Sequence, residues 1–288
     1  MVEGVRLSNP DKVLYPEQGI TKGQLADYYV IVADRMLPHV AGRPVTMVRC
    51  PMGQETKCFY QRHAGSGVPE QLREVTIPGF AEPYLYIADV SGLVAMVQMG
   101  VLEIHPWGVT VDQPERADRI VFDLDPAEGL GFEAVILAAR EVRDRLRRLG
   151  LVSFVKTTGG KGLHVVVPVE ATAPWREVKS FAKGVSAEMA ADAPDRYLTT
   201  AGKADRVGRI FIDYLRNDPT STAVAPYSTR SRKGAPVAMP IRWEQVKPGL
   251  NPGDYTVETV PGIVRRQRSD PWAEMLEVRQ ELPDQPRA

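Results

Sequence analysis

The stretch RIVFDLDP, residues 119–126, decides the fold. Arg119 to Asp125 reads as a strand, and Pro126 marks the turn after it. Working outward, residues 132–149 have helical spacing. Val135, Leu137, Ala138, Val142 and Leu146 fall on one face, and Gly150 stops the helix. A strand over 152–156 follows, then the turn TTGGKG, then a strand over 163–167. Residues 174–191 read as a second helix with Pro174 at its start, and 209–215 as a fourth strand. The order β-α-β-β-α-β predicts a ferredoxin/RRM-like sheet in an α+β chain. Such a sheet hosts many functions, so the chemistry must come from its residues.

The first hundred residues are mixed α/β. A helix is predicted over 22–40, with Leu25, Tyr28, Tyr29, Val32 and Met36 recurring at threes and fours and Thr21 as its cap. Strands are predicted over 44–49, 58–61, 84–87 and 102–105, and a short apolar helix capped by Ser91 runs through Gln98. The expected organisation is a single domain over 1–260. It has an N-terminal part over about 1–115 and a catalytic sheet over about 116–245, with 261–288 as a Pro-spotted, charged extension.

The 288 residues are 43% hydrophobic and 25% charged, which excludes a disordered chain. With 36 basic and 36 acidic residues the formal charge is zero, so nucleic-acid binding has to come from a local patch. The apolar stretch 93–102 is broken by Gln98 and Gly100 and falls far short of the ~20 residues that span a bilayer. No apolar signal core opens the chain, and a cytoplasmic protein is expected. Cys50 and Cys58, eight residues apart, have neither a disulfide-framework nor a zinc spacing, so free thiols are expected.

Asp123 and Asp125 sit two apart on a strand, hence on one face about 7 Å apart. Paired carboxylates repel unless a proton or cation neutralises them, and hard oxygen donors suit Mg²⁺ or Mn²⁺. Asp213 lies inside the apolar strand RIFIDYLR, sharing a face with Phe211, where an acid needs a partner. Three such acids on one sheet face suit a two-metal phosphoryl-transfer site. The turn Lys156-Thr-Thr-Gly-Gly-Lys-Gly-Leu-His164 joins two apolar strands. Gly159, Gly160 and Gly162 permit positive φ and an anion nest, while Thr158, Lys161 and His164 add phosphate-binding groups. The spacing is not that of a Walker A loop. Arg230 and Arg232, followed by Lys233, share a face if extended and suit a polyphosphate, with Arg216 three beyond Asp213.

Together these motifs resemble the archaeo-eukaryotic primase superfamily, and most closely the polymerase domain of bacterial ligase D. The matching text is LSNPDKVLYP, ITKGQLADYY, RPVTMVRCP, FYQRHA, GVLEIHPWG, FDLDP, KTTGGKGLHVVVP and FIDYLRNDPTSTAVAPYSTR, covering about Leu7 to Trp243. The resemblance implies a template-directed nucleotidyl transferase that fills gaps and extends ends in non-homologous end joining, favouring ribonucleotides and manganese. It implies Asp123, Asp125 and Asp213 as ligands of two Mn²⁺ or Mg²⁺ ions. His105, Thr158, Lys161, His164, Arg216, Arg230 and Arg232 would meet the incoming nucleoside triphosphate. Lys12 and Lys22 match lysines that hold a 5′-phosphate at a gap in duplex DNA, and Phe59 and Tyr60 match aromatics that stack on the template. Thr158 stands where the family commonly has Ser, and Tyr60 where it often has Phe; both keep the hydroxyl or π-face. No ligase lysine motif is present, so a stand-alone member or an excised domain is expected, with Ku and a ligase as candidate partners. The rivals are a primer-free primase, a non-catalytic end-bridging module and a metal-dependent nuclease. The match at Lys12 and Lys22 disfavours the first, the acid triad the second, and the triphosphate grip the third.

Overall fold

Thr21 starts the first long helix by a capping box, as its sequence predicts: the Thr21 side chain accepts from the Gln24 backbone and Gln24 returns a bond to Thr21. The structure, a computed structural model, describes residues 1–65 and 67–283. Its elements in the first part are β1 (Val13–Tyr15), β2 (Ile20–Thr21), α1 (Lys22–Val40), β3 (Val45–Arg49), β4 (Phe59–Gln61), β5 (Arg73–Val75), β6 (Tyr84–Tyr86), α2 (Val90–Gln98) and β7 (Val101–Pro106). Strands β4-β3-β7 form one antiparallel sheet, and β1-β2 and β5-β6 form hairpins. Leu25, Tyr28, Tyr29, Val32 and Met36 of α1 are buried. Asp89, not Ser91, caps α2: its carboxylate accepts from Gly92, and the Ser91 hydroxyl donates to the same carboxylate.

The second part holds β8 (Arg119–Pro126), α3 (Phe132–Arg148), β9 (Phe154–Thr157), β10 (Leu163–Pro168), α4 (Trp175–Asp192), β11 (Tyr197–Leu198), β12 (Ile210–Asp213) and β13 (Pro240–Ile241). These strands make one sheet in the order β11-β12-β8-β10-β9-β13. Its middle four strands, β12-β8-β10-β9, are antiparallel neighbours in the ferredoxin-like arrangement that the sequence predicts. The short edge strands β11 and β13 were not legible in the sequence. Helices α3 and α4 pack on this sheet. Alternation along β8 buries Ile120, Phe122 and Leu124 completely and leaves Asp123 and Asp125 on the other face. On α3 the buried stripe is Val135, Ile136, Ala138, Ala139, Val142 and Leu146. Leu137, predicted inside, is 47% exposed, because it lies one position off that stripe.

The chain divides into two units: residues 1–114 with 222–239 and 253–270, and residues 115–221 with 240–252 and 271–288. The sequence placed 222–239 with the catalytic sheet. It packs in the first unit instead, where the Tyr28 hydroxyl donates to the Tyr227 carbonyl and Tyr29 meets Thr229. The stretch after 260, read as an extension, contributes to both units. The helix Val260–Arg266 joins the first unit, with Arg35 donating to the Val264 carbonyl. Trp272 is buried in the second, its indole N–H bonded to the Val155 carbonyl. Residues 284–288 of the predicted extension lie outside the described residues.

The expected free thiols are also corrected, since Cys50 and Cys58 form a disulfide. Strand pairing explains it. Arg49 faces Phe59 across the β3–β4 pair, so the next residues outward, Cys50 and Cys58, are opposite each other with Cα atoms 4.4 Å apart. Among the described residues, no helix is long and apolar enough to cross a membrane.

Candidate active site

The predicted site residues fall in both units and are taken unit by unit. In the second, strand register lines up a row of functional side chains. Asp213 on β12 pairs with Asp123 on β8, Asp123 with His164 on β10, and His164 with Lys156 on β9. Directly opposed residues of antiparallel strands share a face, so four strands deliver Asp, Asp, His and Lys side by side. Asp125, two residues beyond Asp123, shares that face and is more open.

Guanidinium groups hold these carboxylates. Arg216 Nε lies 3.2 Å from Asp123 Oδ2 and 3.2 Å from Asp213 Oδ2, spanning the two acids. Arg206 Nη1 lies 2.6 Å from Asp125 Oδ2, with its guanidinium 4.2 Å from the centroid of the Phe211 ring. His164 Nε2 stands 3.3 Å from Asp123 Oδ1. Burial alone would raise the Asp123 pKa, but His164, Arg216 and Lys156 hold it well below the usual carboxylate range. Burial and the Lys156 charge lower His164 to about 4, so the imidazole is neutral at pH 7. Burial raises Asp213, opposed by Arg216. His164 Nδ1 is buried without a hydrogen-bond partner among the described residues.

Asn217 sets the end of this site. Strand β12 stops at Asp213, and beyond it the Asn217 amide takes over the ladder. Its Oδ1 accepts from Val121 N at 2.7 Å and its Nδ2 donates to Val121 O at 2.8 Å. The side chain thus replaces a strand residue and fixes the Leu215–Asn217 turn that carries Arg216.

The glycine turn differs in part from its sequence reading. Of the three expected positive-φ glycines only Gly159 has one, at 64°. Gly162 serves another purpose: a Cβ there would lie 2.4 Å from the Leu124 carbonyl oxygen, so only glycine lets the turn lie against β8. Thr158 closes the turn, its hydroxyl donating to the Gly162 carbonyl at 3.1 Å. Lys161 is exposed at the tip.

The three carboxylates on this face suit a hard divalent cation, and arginine already supplies positive charge between Asp123 and Asp213. Among the described residues, no three acidic, histidine or cysteine side chains are gathered closely enough to hold a metal ion. Asp123, Asp125 and Asp213 are the residues that could hold one if it replaced the guanidinium groups.

In the first unit, the β1–β2 hairpin sets Lys12 opposite Lys22, whose backbone N–H donates to the Lys12 carbonyl at 2.8 Å. Burial and the neighbouring Lys12 charge lower the Lys22 pKa. Lys22 Nζ donates to the Ser8 carbonyl at 2.9 Å and lines an open pocket with Arg49, Gln98 and Gly100. Phe59 and Tyr60 are 41% and 73% exposed on β4, an edge strand, and the Arg49 guanidinium lies 5.4 Å from the centroid of the Phe59 ring. Aromatics in that state are available surface rather than core. His105 Nε2 lies 2.8 Å from Glu103 Oε2, and Arg230 Nε 2.9 Å from the same oxygen. Arg232, two residues on, is exposed.

Sequence reasoning missed Glu103, Arg206 and Asn217. The first had a signal, since Glu103 and His105 are two apart on a strand, the same relation that singled out Asp123 and Asp125. The other two had none, because their partners lie 81 and 96 residues away.

The model of the LigD primase-polymerase domain family matches residues 21–272. The multifunctional non-homologous end joining protein LigD of Pseudomonas aeruginosa is 37% identical over 283 residues, covering 97% of this chain and 34% of that protein. The protein of the same name from Mycolicibacterium smegmatis is 37% identical over 248 residues, covering 85% and 32%. Among solved structures, the polymerase domain of Mycobacterium tuberculosis ligase D in complex with DNA matches with a TM-score of 0.87 and 34% identity, covering 95% of this chain and 98% of that one. This chain spans about a third of the length of the curated relatives it matches.

Proposed function

We infer what this chain does from one premise: it belongs to the LigD primase-polymerase domain family. Its activity is template-directed nucleotide addition at gaps and ends of duplex DNA during non-homologous end joining, with ribonucleotides preferred. A primer 3′-hydroxyl attacks the α-phosphate of a nucleoside triphosphate, and pyrophosphate leaves. The observation that carries this reading is the register row Asp213–Asp123–His164, with one guanidinium spanning both acids. It is a place built to hold positive charge against two carboxylates.

Asp123, Asp125 and Asp213 would hold two Mn²⁺ or Mg²⁺ ions, Mn²⁺ being favoured, once the guanidinium groups of Arg206 and Arg216 gave way to them. Bound there, the ions would lower the hydroxyl pKa and stabilise the leaving pyrophosphate. The protein contributes preorganised charge. Asp123 is ionised in advance by its neighbours, and neutral His164 stays a hydrogen-bonding group. Thr158, Lys161, His164, Arg216, Arg230, Arg232 and His105 contact the nucleotide, as the family resemblance assigns. Lys12 and Lys22 hold the downstream 5′-phosphate of a gap, and Phe59 and Tyr60 stack on the template. A DNA complex of the Mycobacterium tuberculosis polymerase domain supports DNA as the partner. Ku and a ligase complete the end-joining role, at the bacterial nucleoid.

The test is primer extension on a gapped duplex, comparing ribonucleotides with deoxynucleotides and Mn²⁺ with Mg²⁺, for the wild type and for Asp123→Ala and Asp213→Ala. Extension by the wild type and none by either variant is expected. Extension at near wild-type rates by a folded Asp213→Ala protein overturns the triad. Synthesis on templates lacking any primer would transfer the assignment to a primase.

A further inference from the structure

Glu103 lies on β7 between Leu102 and Ile104, both completely buried, and is itself only 5% exposed. A buried carboxylate persists where donors surround it. Four do. Oε2 accepts from His105 Nε2 at 2.8 Å and from Arg230 Nε at 2.9 Å. Oε1 accepts from the Ser231 backbone N–H at 2.9 Å and from the Ser231 hydroxyl at 2.6 Å. Burial pushes the Glu103 pKa up, but His105, Arg230 and Ser231 hold it well below the usual carboxylate range, so it is ionised at neutral pH.

The arrangement is over-determined by the backbone. Strand alternation puts Glu103 and His105 on one face. Arg230 and Ser231 come from 127 and 128 residues away, so something must fix them there. The chain before them is stitched along β7. Ala225 N–H donates to the Ile104 carbonyl at 2.9 Å, Ile104 N–H to the Ser228 hydroxyl at 2.9 Å, and the Thr229 hydroxyl to the Leu102 carbonyl at 2.6 Å. The Tyr15 hydroxyl donates to the Arg230 carbonyl at 2.8 Å. Polar side chains cap the strand edge, and the acid sits where the two basic groups converge. An arginine needed only for stability could reach solvent. This one is 13% exposed, with its Nε edge docked on Glu103.

We propose that Glu103 is a positioning residue for nucleotide addition, holding the His105 imidazole as its Nε2–H tautomer and fixing the Arg230 guanidinium through Nε. This rests on the reading of His105 and Arg230 as nucleotide contacts. Both groups then meet the nucleotide already assembled. An arginine side chain otherwise loses most of its rotamer freedom on binding, an amount equivalent to about tenfold or more in affinity. A carboxylate that selects the tautomer of a working histidine is the arrangement by which second partners orient such rings.

Two measurements on the full chain test this. Long-range ¹H–¹⁵N correlation spectra of the wild type, with His105 assigned by its substitution, should show the Nε2–H tautomer. In Glu103→Gln that signature should be lost, because an amide can present its own N–H to the ring. A wild-type His105 in the Nδ1–H form overturns the proposal, and this arm needs no variant of Glu103 to fold. The second measurement is titration of a fluorescent nucleoside triphosphate with Mn²⁺ into the wild type, Glu103→Gln, Arg230→Ala and the double variant. Glu103→Gln should bind about tenfold more weakly, with little further loss on the Arg230→Ala background. Binding of duplex DNA should not change. Wild-type affinity in Glu103→Gln beside weakened Arg230→Ala rejects Glu103 as a positioner and spares the nucleotide reading. Wild-type affinity in Arg230→Ala and His105→Ala alike rejects that reading, and this inference with it.

Discussion

Removing the Asn217 amide tests how the acid row is held. Asn217 is 1% exposed, and its side chain supplies both hydrogen bonds of Val121, a residue two before Asp123 on β8. In Asn217→Ala the Val121 N–H and carbonyl lose their partners on that edge of the strand. A buried polar group left unsatisfied costs about 1–3 kcal/mol, so the pair costs roughly 2–6 kcal/mol. At about 2–4 °C per kcal/mol, the melting temperature of the unit should fall by roughly 4–24 °C. Asn217→Asp keeps the acceptor, loses the donor and buries a charge, so it should be at least as damaging. Function should suffer beyond stability. The Leu215–Asn217 turn carries Arg216, which spans Asp123 and Asp213. Primer extension at a temperature where both proteins are folded should therefore be several-fold slower in Asn217→Ala. Urea unfolding followed by circular dichroism gives the free energy. An alanine variant within about 0.5 kcal/mol of the wild type, the range of an ordinary surface substitution, would refute the reasoning.

The DNA-end assignment predicts tighter binding to a gapped duplex with a 5′-phosphate than to one with a 5′-hydroxyl. The preference should shrink as salt rises and vanish in Lys12→Ala with Lys22→Ala; equal affinities for the two ends in the wild type would sink it. The disulfide predicts a loss of about 2.5 kcal/mol in Cys50→Ser with Cys58→Ser, the chain-entropy value for so short a loop, and no reactive thiol in the wild type unfolded without reductant; thiol titration of the unfolded wild type decides it, two reactive thiols counting against the bond.

The central sheet was legible because each strand and helix announced itself locally. Period-two alternation in residues 119–126 and period-3.6 spacing in 132–149 each need only one element to be read. The ends of α1 and α4 were set by local chemistry, the Thr21 capping box and Pro174. What escaped reading was long-range. Nothing in Tyr227-Ser-Thr-Arg says that its hydroxyls cap a strand more than a hundred residues earlier. Leu137 was misassigned because a helical stripe drawn through Val135 and Ala138 can be widened to either side, and only the packed sheet chooses. The cysteines were misread for a related reason. Their spacing in sequence is uninformative until the β3–β4 hairpin turns it into a cross-strand pair. Of the site, the acids and the glycine turn were visible as motifs, whereas the residues that orient them, Asn217 and Glu103, are defined by what they touch.

The first unit is discontinuous along the chain, and this fixes an order for its making. Residues 1–114 wait for 222–239 and 253–270, since Tyr28, Tyr29 and Arg35 find their partners at Tyr227, Thr229 and Val264. On a ribosome, the amino-terminal segment emerges first yet cannot finish first. Residues 115–221 already contain the four strands of the ferredoxin-like core and both covering helices, so every pairing partner within that core exists once residue 221 is made. Short-range contacts form sooner than distant ones, because less of the chain must be ordered to close them. Residues 115–221 are thus the part able to fold early, and residues 1–114 must stay soluble until those up to 270 are made. Shortening the protein from its carboxyl end before residue 270 should leave the first hundred residues, and with them Lys12, Lys22 and Glu103, without a completed fold.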